Sequence, residues 1–330
     1  MGLVLCLASA AGFGAMAIFG KLAYSAGVSP GALLLVRFTL AAVLLVILLL
    51  ARPSLRRVKP DPRAAAAGRT PASRGRVLAI ALGLGAVGYA SQASLYFAAL
   101  QRMDASLLSL ILYTYPILVT IAAVLLGRDR LTPARGVALA AASGGTLLVL
   151  LGAGAVSFDP LGALLGFGSA LVYTTYILIS DTIVHRLSPV LLSTLVMAGA
   201  AGTLAIRAAL AGGVDLSFGP AGWFWLACTA IVSTVAAMLA FFAGLERTGP
   251  STAAILSTFE PVVTTALAAL ILSESLTTLQ LTGGALVLAS AAVLQIRRNH
   301  TRPGRKAPVE QASTGMPANP AERVGAHSAE

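Results

Sequence analysis

The chain of 330 residues is poor in the residues that carry most enzyme chemistry, with two cysteines and three histidines. Cys6 and Cys228 lie in separate apolar runs, and this favours neither a disulfide framework nor a thiolate metal site. The histidines are far apart in the sequence, at His185, His300 and His327. We therefore expect no catalytic cluster and no metal site.

Charged residues are scarce as well. They make up 11% of the chain, against about 25% in a typical soluble domain, while 57% of the residues are hydrophobic. The mean hydropathy is +0.87. Apolar runs of about 20 residues recur from end to end, and this is the length that crosses a bilayer core. The composition disfavours a soluble enzyme and predicts an all-α, polytopic membrane protein.

The net charge of +11 does not indicate a nucleic-acid-binding protein. Such a protein gathers its basic residues on one folded face, whereas here they are concentrated between the apolar runs. Basic residues in short connections are the usual signal of membrane topology. We expect the lipid bilayer and a small molecule, but no nucleic acid, as partners.

Ten apolar runs are predicted to be membrane-spanning helices. The connection at 51–76 is basic and rich in proline, and the segment 297–330 is polar. We predict that the first is flexible and that the second is a disordered cytoplasmic tail. The predicted spans, one to ten in chain order, are 3–22, 31–50, 77–99, 105–126, 134–152, 161–183, 189–211, 221–245, 251–272 and 279–296.

The distribution of lysine and arginine predicts the orientation. With the N-terminus in the cytoplasm, the cytoplasmic connections and the tail carry 19 of the 23 basic residues. The remaining four are Lys21, Arg37, Arg102 and Arg207, all towards the outer ends of spans. Cytoplasmic connections are enriched in basic residues, so this bias predicts an even number of spans with both termini in the cytoplasm.

Two stretches of the chain repeat each other. Residues 97–132 align without a gap with residues 242–277, and the match pairs Pro116 with Pro261 at a spacing of 145. Span four therefore corresponds to span nine, and the chain is a duplication of a five-helix unit. Because five is odd, the second unit enters the membrane from the opposite side. This predicts an inverted repeat, an architecture typical of secondary transporters.

The repeated segments resemble the EamA domain of the drug/metabolite transporter superfamily. The resemblance rests on LYTYPILVTIAAVLLGRDRLT in the first unit (residues 3–152) and on STFEPVVTTALAALILSESLTTLQLTGGALVLAS in the second (161–296). One position departs from the family pattern: Asp129 stands where span four usually closes with Glu, which the second unit has as Glu274. The resemblance implies a transporter of small metabolites or drugs, often an exporter, without a bound cofactor.

Glu260 is an acidic residue in the middle of an apolar run. It is ten residues into span nine, about 15 Å along the helix and thus near the bilayer centre. A charge there costs about 2.5–3.5 kcal/mol on insertion scales. Pro261 follows at once and leaves a backbone carbonyl without its helical partner. We interpret the pair either as part of a midplane substrate site or as a paired structural residue that fills a kink.

Aromatic and amide side chains in other spans are candidates to share a midplane site with Glu260. Tyr115 is the symmetry mate of Glu260, whereas Tyr113 lies about 200° from Tyr115 on a regular helix and is expected to face elsewhere. Each of these residues has a second interpretation as ordinary helix packing. The predicted substrate-binding residues are Glu260, Tyr115, Gln92, Tyr89, Tyr96, Tyr173 and Tyr176.

Other ionisable residues of the apolar runs lie nearer to span ends. Lys21, Arg37, Arg207 and Asp181 are within two turns of a predicted end, where a long side chain can reach the interface. Arg37 is the deepest of the four and is the one placed to pair with a carboxylate.

These observations predict a secondary transporter, an exporter that moves a small metabolite or drug across a bacterial inner membrane by alternating access, with a proton as candidate coupling ion. No two arginines or lysines lie at mid-depth, which disfavours phosphorylated cargo and favours a neutral or zwitterionic compound such as an amino acid. Two rival classes stay open. A membrane-embedded enzyme needs a nucleophile or base cluster that the sequence does not offer, and a transport-inactive partner or sensor usually carries a soluble domain.

The charge bias gives a direct test of topology. Reporter fusions at residues 65, 130 and 310 are expected to report the cytoplasm because these connections carry basic residues, and a fusion at residue 274 is expected to report the outside. Paired alkaline phosphatase and green fluorescent protein fusions measure this. A cytoplasmic signal at 274 contradicts the inverted repeat, since it gives spans four and nine the same orientation.

Overall fold

The ten predicted spans are helical in the part of the chain that the computed structural model describes. Eight helices in this part are long and apolar enough to cross a membrane, and two shorter apolar helices complete the set, Tyr115–Leu125 and Thr278–Ser290. The all-α, polytopic fold is confirmed. The described residues are 1–60, 73–100, 102, 108, 111–130, 132–151, 159–272 and 277–300.

The helix bounds follow the predicted spans closely except in span four, whose described helix begins at Tyr115 after a turn, and spans three, eight and nine consist of several segments. The first unit contains Gly2–Ser25, Pro30–Ala51, Arg74–Gly83 continued by Leu84–Tyr89 and Ala90–Leu100, Tyr115–Leu125 and Pro133–Leu151. The second unit contains Pro160–Ile183, Pro189–Leu210, Pro220–Ala230 continued by Ile231–Ala236 and Ala237–Thr248, Pro250–Ser257 with Phe259–Leu272, and Thr278–His300.

Several helix starts are set by the same local signal, a capping side chain followed by proline. Ser29, Asp159 and Ser188 each accept a hydrogen bond from the amide three residues on, at 3.2, 2.9 and 3.1 Å. The proline that follows each cap has no N–H to leave unpaired in the first turn. The sequence therefore predicts these starts within one residue.

The end of the chain differs slightly from the prediction. The last helix continues to His300, although a disordered tail was predicted from residue 297. Residues 301–330, the central part of the long connection at 61–72, and Glu274 lie outside the described residues.

The connection after span two is packed where the structure describes it. Residues Pro53–Arg56 form a short 3-10 helix. The Lys59 amide donates to the Arg186 carbonyl oxygen at 2.7 Å, and the Lys59 ammonium lies 3.6 Å from Glu246 Oε1. The prediction of flexibility is wrong for this part, because the connection carries apolar side chains that pack against the core as well as basic ones.

Contacts between spans follow a pseudo-two-fold pattern. Span one packs against spans eight and nine, and span six, its equivalent, packs against spans three and four. The equivalent spans two and seven pack against each other, as do spans five and ten. Reciprocal pairing of this kind is what two repeats related by a two-fold axis produce. With five helices in each unit, the repeat is inverted.

Glycines set the closest approach between paired spans. A Cβ built on Gly145 in span five would lie 2.6 Å from the carbonyl oxygen of Gly283 in span ten, and a Cβ on Gly283 would lie 2.5 Å from that of Gly145. Gly85 of span three packs in the same way against the Val196 carbonyl of span seven. Small residues let helix backbones touch in a membrane, where van der Waals contact replaces the hydrophobic effect between helices.

Substitution of Gly145 by valine is expected to lower the free energy of unfolding by about 1–3 kcal/mol, because the new side chain collides with the backbone of span ten. The thermal midpoint of detergent-purified protein, followed by fluorescence-detected size exclusion, measures this. Gly144→Val is the matched control, since nothing lies within 4 Å of a Cβ at Gly144. Equal midpoints for the two variants contradict the contact between spans five and ten.

Candidate functional site

Spans four and nine are both interrupted near the middle, at equivalent positions. In span nine the break is at Thr258, and in span four it is a turn at Tyr113 and Thr114. Tyr113 and Thr258 correspond to each other at the spacing of 145. Three residues after each of them stands a proline, Pro116 or Pro261, which cannot donate the helical hydrogen bond. The repeated proline therefore explains the repeated break.

Threonine hydroxyls satisfy backbone carbonyls at both breaks. Thr114 Oγ1 donates to the Ile111 carbonyl oxygen at 2.7 Å, and Thr258 Oγ1 donates to that of Ile255 at 2.6 Å. A backbone group without a partner costs several kcal/mol in hydrocarbon. Each of these carbonyl oxygens also accepts from the amide of the same threonine at 3.2 Å, so both stay hydrogen-bonded where the helices open.

Glu260 lies directly after the break in span nine and faces the break in span four. Its carboxyl is within hydrogen-bonding reach of the Tyr113 hydroxyl, which donates the bond. Residues 250–258 before it are all buried, but Glu260 itself is partly exposed. Glu260 is therefore less enclosed than the helix that precedes it.

The backbone of Glu260 is held by span one. A Cβ on Gly14 would lie 2.8 Å from the Glu260 carbonyl oxygen, so the glycine lets the two backbones touch. The Thr264 hydroxyl lies 2.9 Å from the Gly14 carbonyl oxygen and 3.1 Å from that of Glu260, and its proton is shared between them. Contacts with another span thus fix the position of Glu260.

Five tyrosines from spans three, four and six form a continuous aromatic cluster beside Glu260. The ring centroids are 4.8 Å apart for Tyr115 and Tyr173, 6.0 Å for Tyr173 and Tyr176, and 5.5 Å for Tyr176 and Tyr89. Tyr113 joins the cluster 6.0 Å from Tyr115. These separations are typical of favourable aromatic pairs. Tyr115 and Tyr176 are 2% and 1% exposed, so the centre of this tyrosine cluster is closed.

The carboxyl of Glu260 interacts electrostatically with most of the tyrosine cluster, namely Tyr89, Tyr113, Tyr115 and Tyr173. The Tyr115 side chain is also hydrogen-bonded to Ser257, which ends the helix before the break in span nine. The two breaks therefore meet at two places, through Tyr113 with Glu260 and through Tyr115 with Ser257.

Five of the seven predicted site residues meet here, and the other two lie at the edge. Gln92 Nε2 donates to the Ser169 hydroxyl at 3.2 Å, and that hydroxyl lies 3.1 Å from the Gln92 carbonyl oxygen. This pair joins span three to span six. Tyr96 packs in a small apolar cluster with Leu108 and Ile111. The described hydrogen bonds of Gln92 thus join two spans and do not involve Glu260 or the tyrosine cluster.

Tyr113 belongs to the site although the sequence argument set it aside. On a regular helix the side chains of Tyr113 and Tyr115 would point in different directions. The helix is broken at Tyr113, however, and both side chains interact with Glu260. The expectation that the two face different environments is therefore wrong. Pro116 was the available signal, because a proline there predicts that the helix stops before it.

Arg37 is also part of this region, and the expectation that it pairs with a carboxylate is wrong among the described residues. The side chain is 4% exposed. One guanidinium nitrogen contacts the Met16 sulfur at 2.5 Å, and the guanidinium lies 4.4 Å from the centroid of the Phe38 ring. A further side-chain hydrogen bond joins Arg37 to Tyr89. Sequence alone offered no signal for these partners.

A pocket of about 260 Å³ opens between spans four and five. Tyr113 borders this pocket and also interacts with Glu260, so one residue is shared by the pocket and the site. The pocket is lined by Tyr113, Thr114, Ile117, Ser143, Gly144, Thr146 and Leu147.

Spans three and eight each contain a π-helical stretch next to the site. They are Leu84–Tyr89, which ends in a site residue, and Ile231–Ala236. At the spacing of 145 the first corresponds to residues 229–234, so the two stretches overlap when the repeats are aligned. Short π-helical stretches are frequent at functional sites because they widen a turn and free a carbonyl. Thr234 Oγ1 donates to such a carbonyl, that of Thr229, at 2.9 Å.

Comparison with known proteins agrees with this architecture. The EamA-like transporter family matches residues 1–151 and again residues 160–296. The chain belongs to the EamA-like transporter family. Each match covers five of the ten spans, and the resemblance seen in the repeated motifs is confirmed.

Two relatives extend the comparison. The EamA-like chain is 29% identical over 290 residues to the uncharacterized transporter YcbK of Bacillus subtilis (strain 168). The alignment covers 86% of this chain and 88% of YcbK. A solved crystal structure at 20% identity matches with a TM-score of 0.72 over 92% of this chain and 99% of that chain, which shows the fold alone. The protein is therefore a multi-pass membrane transporter.

Tyr113 and Glu260 are expected to be energetically coupled because the hydroxyl donates to the carboxyl. A double-mutant cycle of Tyr113→Phe and Glu260→Gln, measured by reversible unfolding in mixed micelles, is expected to give a coupling of about 0.5–3 kcal/mol. Tyr176→Phe is the matched control in the same cycle, since the hydroxyl of Tyr176 lies 3.8 Å from the Met238 sulfur. Additive effects of the first pair contradict direct contact.

Proposed function

We propose that this EamA-like transporter exports a small neutral or zwitterionic metabolite, such as an amino acid, across the cytoplasmic membrane of a bacterium. The proposal is carried by one observation, a carboxyl group placed where two broken helices of an inverted repeat meet. Inverted-repeat transporters bind their substrates near the midplane, at discontinuous helices. Export is the direction that the family resemblance favours, and both termini are proposed to be cytoplasmic.

Alternating access is the proposed mechanism, and the repeat symmetry supports it. Two similar units can exchange conformations, so that one site opens to either side in turn. The tyrosine cluster is closed in the described arrangement, and a substrate therefore enters only when contacts between the units separate. Polar contacts such as Tyr113 with Glu260 are suited to that role, while the glycine contacts of spans five and ten pack tightly and stay together.

Glu260 is proposed to hold the positive end of the substrate or the coupling proton. A carboxyl group can be charged or neutral, and its affinity for an ammonium group changes with that state. The surrounding tyrosines add ring faces that attract a cation and stack against an apolar side chain. The proposed substrate-binding residues are Glu260, Tyr113, Tyr115, Tyr89, Tyr173 and Tyr176, with Gln92 and Tyr96 at the edge.

Glu260→Gln is expected to lower transport at least about tenfold and to flatten its pH dependence, because glutamine keeps the shape but cannot titrate or carry charge. The measurement is transport of a panel of radiolabelled L-amino acids by proteoliposomes at several pH values between 5.5 and 8.5.

Glu246→Gln is the matched control. Glu246 is also a glutamate of the second unit, but its side chain contacts Lys59, a residue of the connection after span two. This variant is expected to transport like the wild type. Wild-type transport by Glu260→Gln at every pH overturns the functional role of the carboxyl. Transport of no amino acid by the wild type overturns the proposed substrate class.

A further inference from the structure

Arg37 is a buried cation that borders the tyrosine cluster, and it forms no ion pair with a carboxylate in the part of the chain that the structure describes. The elements packed against span two are spans one and seven, the first half of span eight and the short helix Pro53–Arg56. None of them contains Asp or Glu, and no described carboxylate forms an ion pair with Arg37. Buried arginines are usually paired, because an isolated charge is costly to remove from water.

Apart from the hydrogen bond with Tyr89, the partners of Arg37 among the described residues are weak. The thioether of Met16 is a poor acceptor, and the Phe38 ring attracts the cation without accepting its N–H bonds in line. Arg37 Nε is buried and has no hydrogen-bond partner. A guanidinium presents five N–H donors in a planar fork that matches a carboxylate. The unpaired Nε–H of this buried cation therefore points to an anionic ligand.

Tyr89 places this cation and the Glu260 carboxyl on the same tyrosine cluster. Its ring centroid lies 5.3 Å from that of Phe38 and 5.5 Å from that of Tyr176. Tyr89 is hydrogen-bonded to Arg37 and also interacts electrostatically with Glu260. Tyr89 thus interacts with both the Arg37 guanidinium and the Glu260 carboxyl, and no ion pair between these two residues is found.

We propose that Arg37 and Tyr89 form a carboxylate subsite for the transported compound, whose ammonium group is held by Glu260. The guanidinium and the Tyr89 hydroxyl donate to the two carboxylate oxygens. This inference rests on the proposed function and narrows its substrate class to compounds that carry both a carboxylate and an ammonium group. Each buried charge then gains its partner from the substrate.

The test uses two series of probes that differ by one charged group each. L-Leucine is compared with isocaproate, which lacks the ammonium group, and with isoamylamine, which lacks the carboxylate. L-Phenylalanine is compared in the same way with hydrocinnamate and phenethylamine. Apparent dissociation constants come from ligand-dependent thermal stability of the purified full chain. The proteins are the wild type, Arg37→Gln, Arg37→Lys and Glu260→Gln.

Arg37→Gln is expected to weaken binding of the zwitterions and carboxylates by about 30-fold or more, as for truncation of one partner of a buried charge pair. Its affinity for the amines is expected to be unchanged. Glu260→Gln is expected to weaken binding of the zwitterions and amines and to leave the affinity for the carboxylates unchanged. Arg37→Lys keeps the charge but not the planar guanidinium, so its affinity for carboxylates should fall between those of the wild type and Arg37→Gln. Arg207→Gln, at an exposed arginine that donates to Ser94, is the control and should bind like the wild type.

Wild-type carboxylate affinity in Arg37→Gln overturns the subsite, as does a wild type that no carboxylate probe stabilises. Titration with chloride at constant ionic strength tests a free anion as occupant, and Arg37-dependent stabilisation by chloride alone also overturns it. If Arg37→Gln does not fold, Arg37→Lys and Tyr89→Phe give the same comparison.

Failure of the subsite and failure of the proposed function are separable. Wild-type carboxylate binding by Arg37→Gln, together with loss of transport in Glu260→Gln, removes the subsite alone. Arg37-dependent binding of hydrocinnamate or isocaproate in a protein that transports no amino acid keeps the subsite and revises the cargo.

Discussion

A backbone group that leaves its helix inside a bilayer must find a partner within the protein, and the centre of this transporter depends on that constraint. Two helices open at equivalent prolines, and threonine hydroxyls take up carbonyls at both openings. The two openings face each other, so that side chains of one reach groups of the other. Tyr113 meets Glu260, and Tyr115 meets Ser257. A carboxyl is tolerated in such a place because the Tyr113 hydroxyl supplies a hydrogen-bond donor there.

The two units are joined by close backbone contacts in one place and by exchangeable side-chain contacts in another. At Gly145 and Gly283 the backbones of spans five and ten are in direct contact. The two helices therefore cannot slide past each other without steric collision. The contacts at the helix breaks are hydrogen bonds and aromatic edges, which can be exchanged for contacts with a ligand. Motion between the units is therefore easiest at the tyrosine cluster, which is where the substrate is proposed to bind.

Two opposite charges lie in the same region without meeting. Had Arg37 and Glu260 formed an ion pair, each would have lost its affinity for a charged ligand, and the pair would be a structural feature of the core. Without such a pair, Arg37 keeps a buried Nε–H that has no hydrogen-bond partner. In the proposed subsite, this donor is available for the carboxylate of the substrate.

Sequence by itself determined the membrane class, the ten spans, the duplication and the acidic residue at mid-depth. Each of these follows from hydropathy, from charge or from a repeat spacing, all of which are properties of the chain read locally. It also determined most of the tyrosine cluster, because residues three or four apart share a helix face.

Only the tertiary structure decided the place of Tyr113 and the isolation of Arg37. A helical rule assigns directions correctly until the helix breaks, and the path beyond Pro116 depends on which span packs there. Whether a buried arginine has a partner depends on the side chains that face it from other spans. Those neighbours are far away in sequence and are brought near only by packing, so no local pattern reports them.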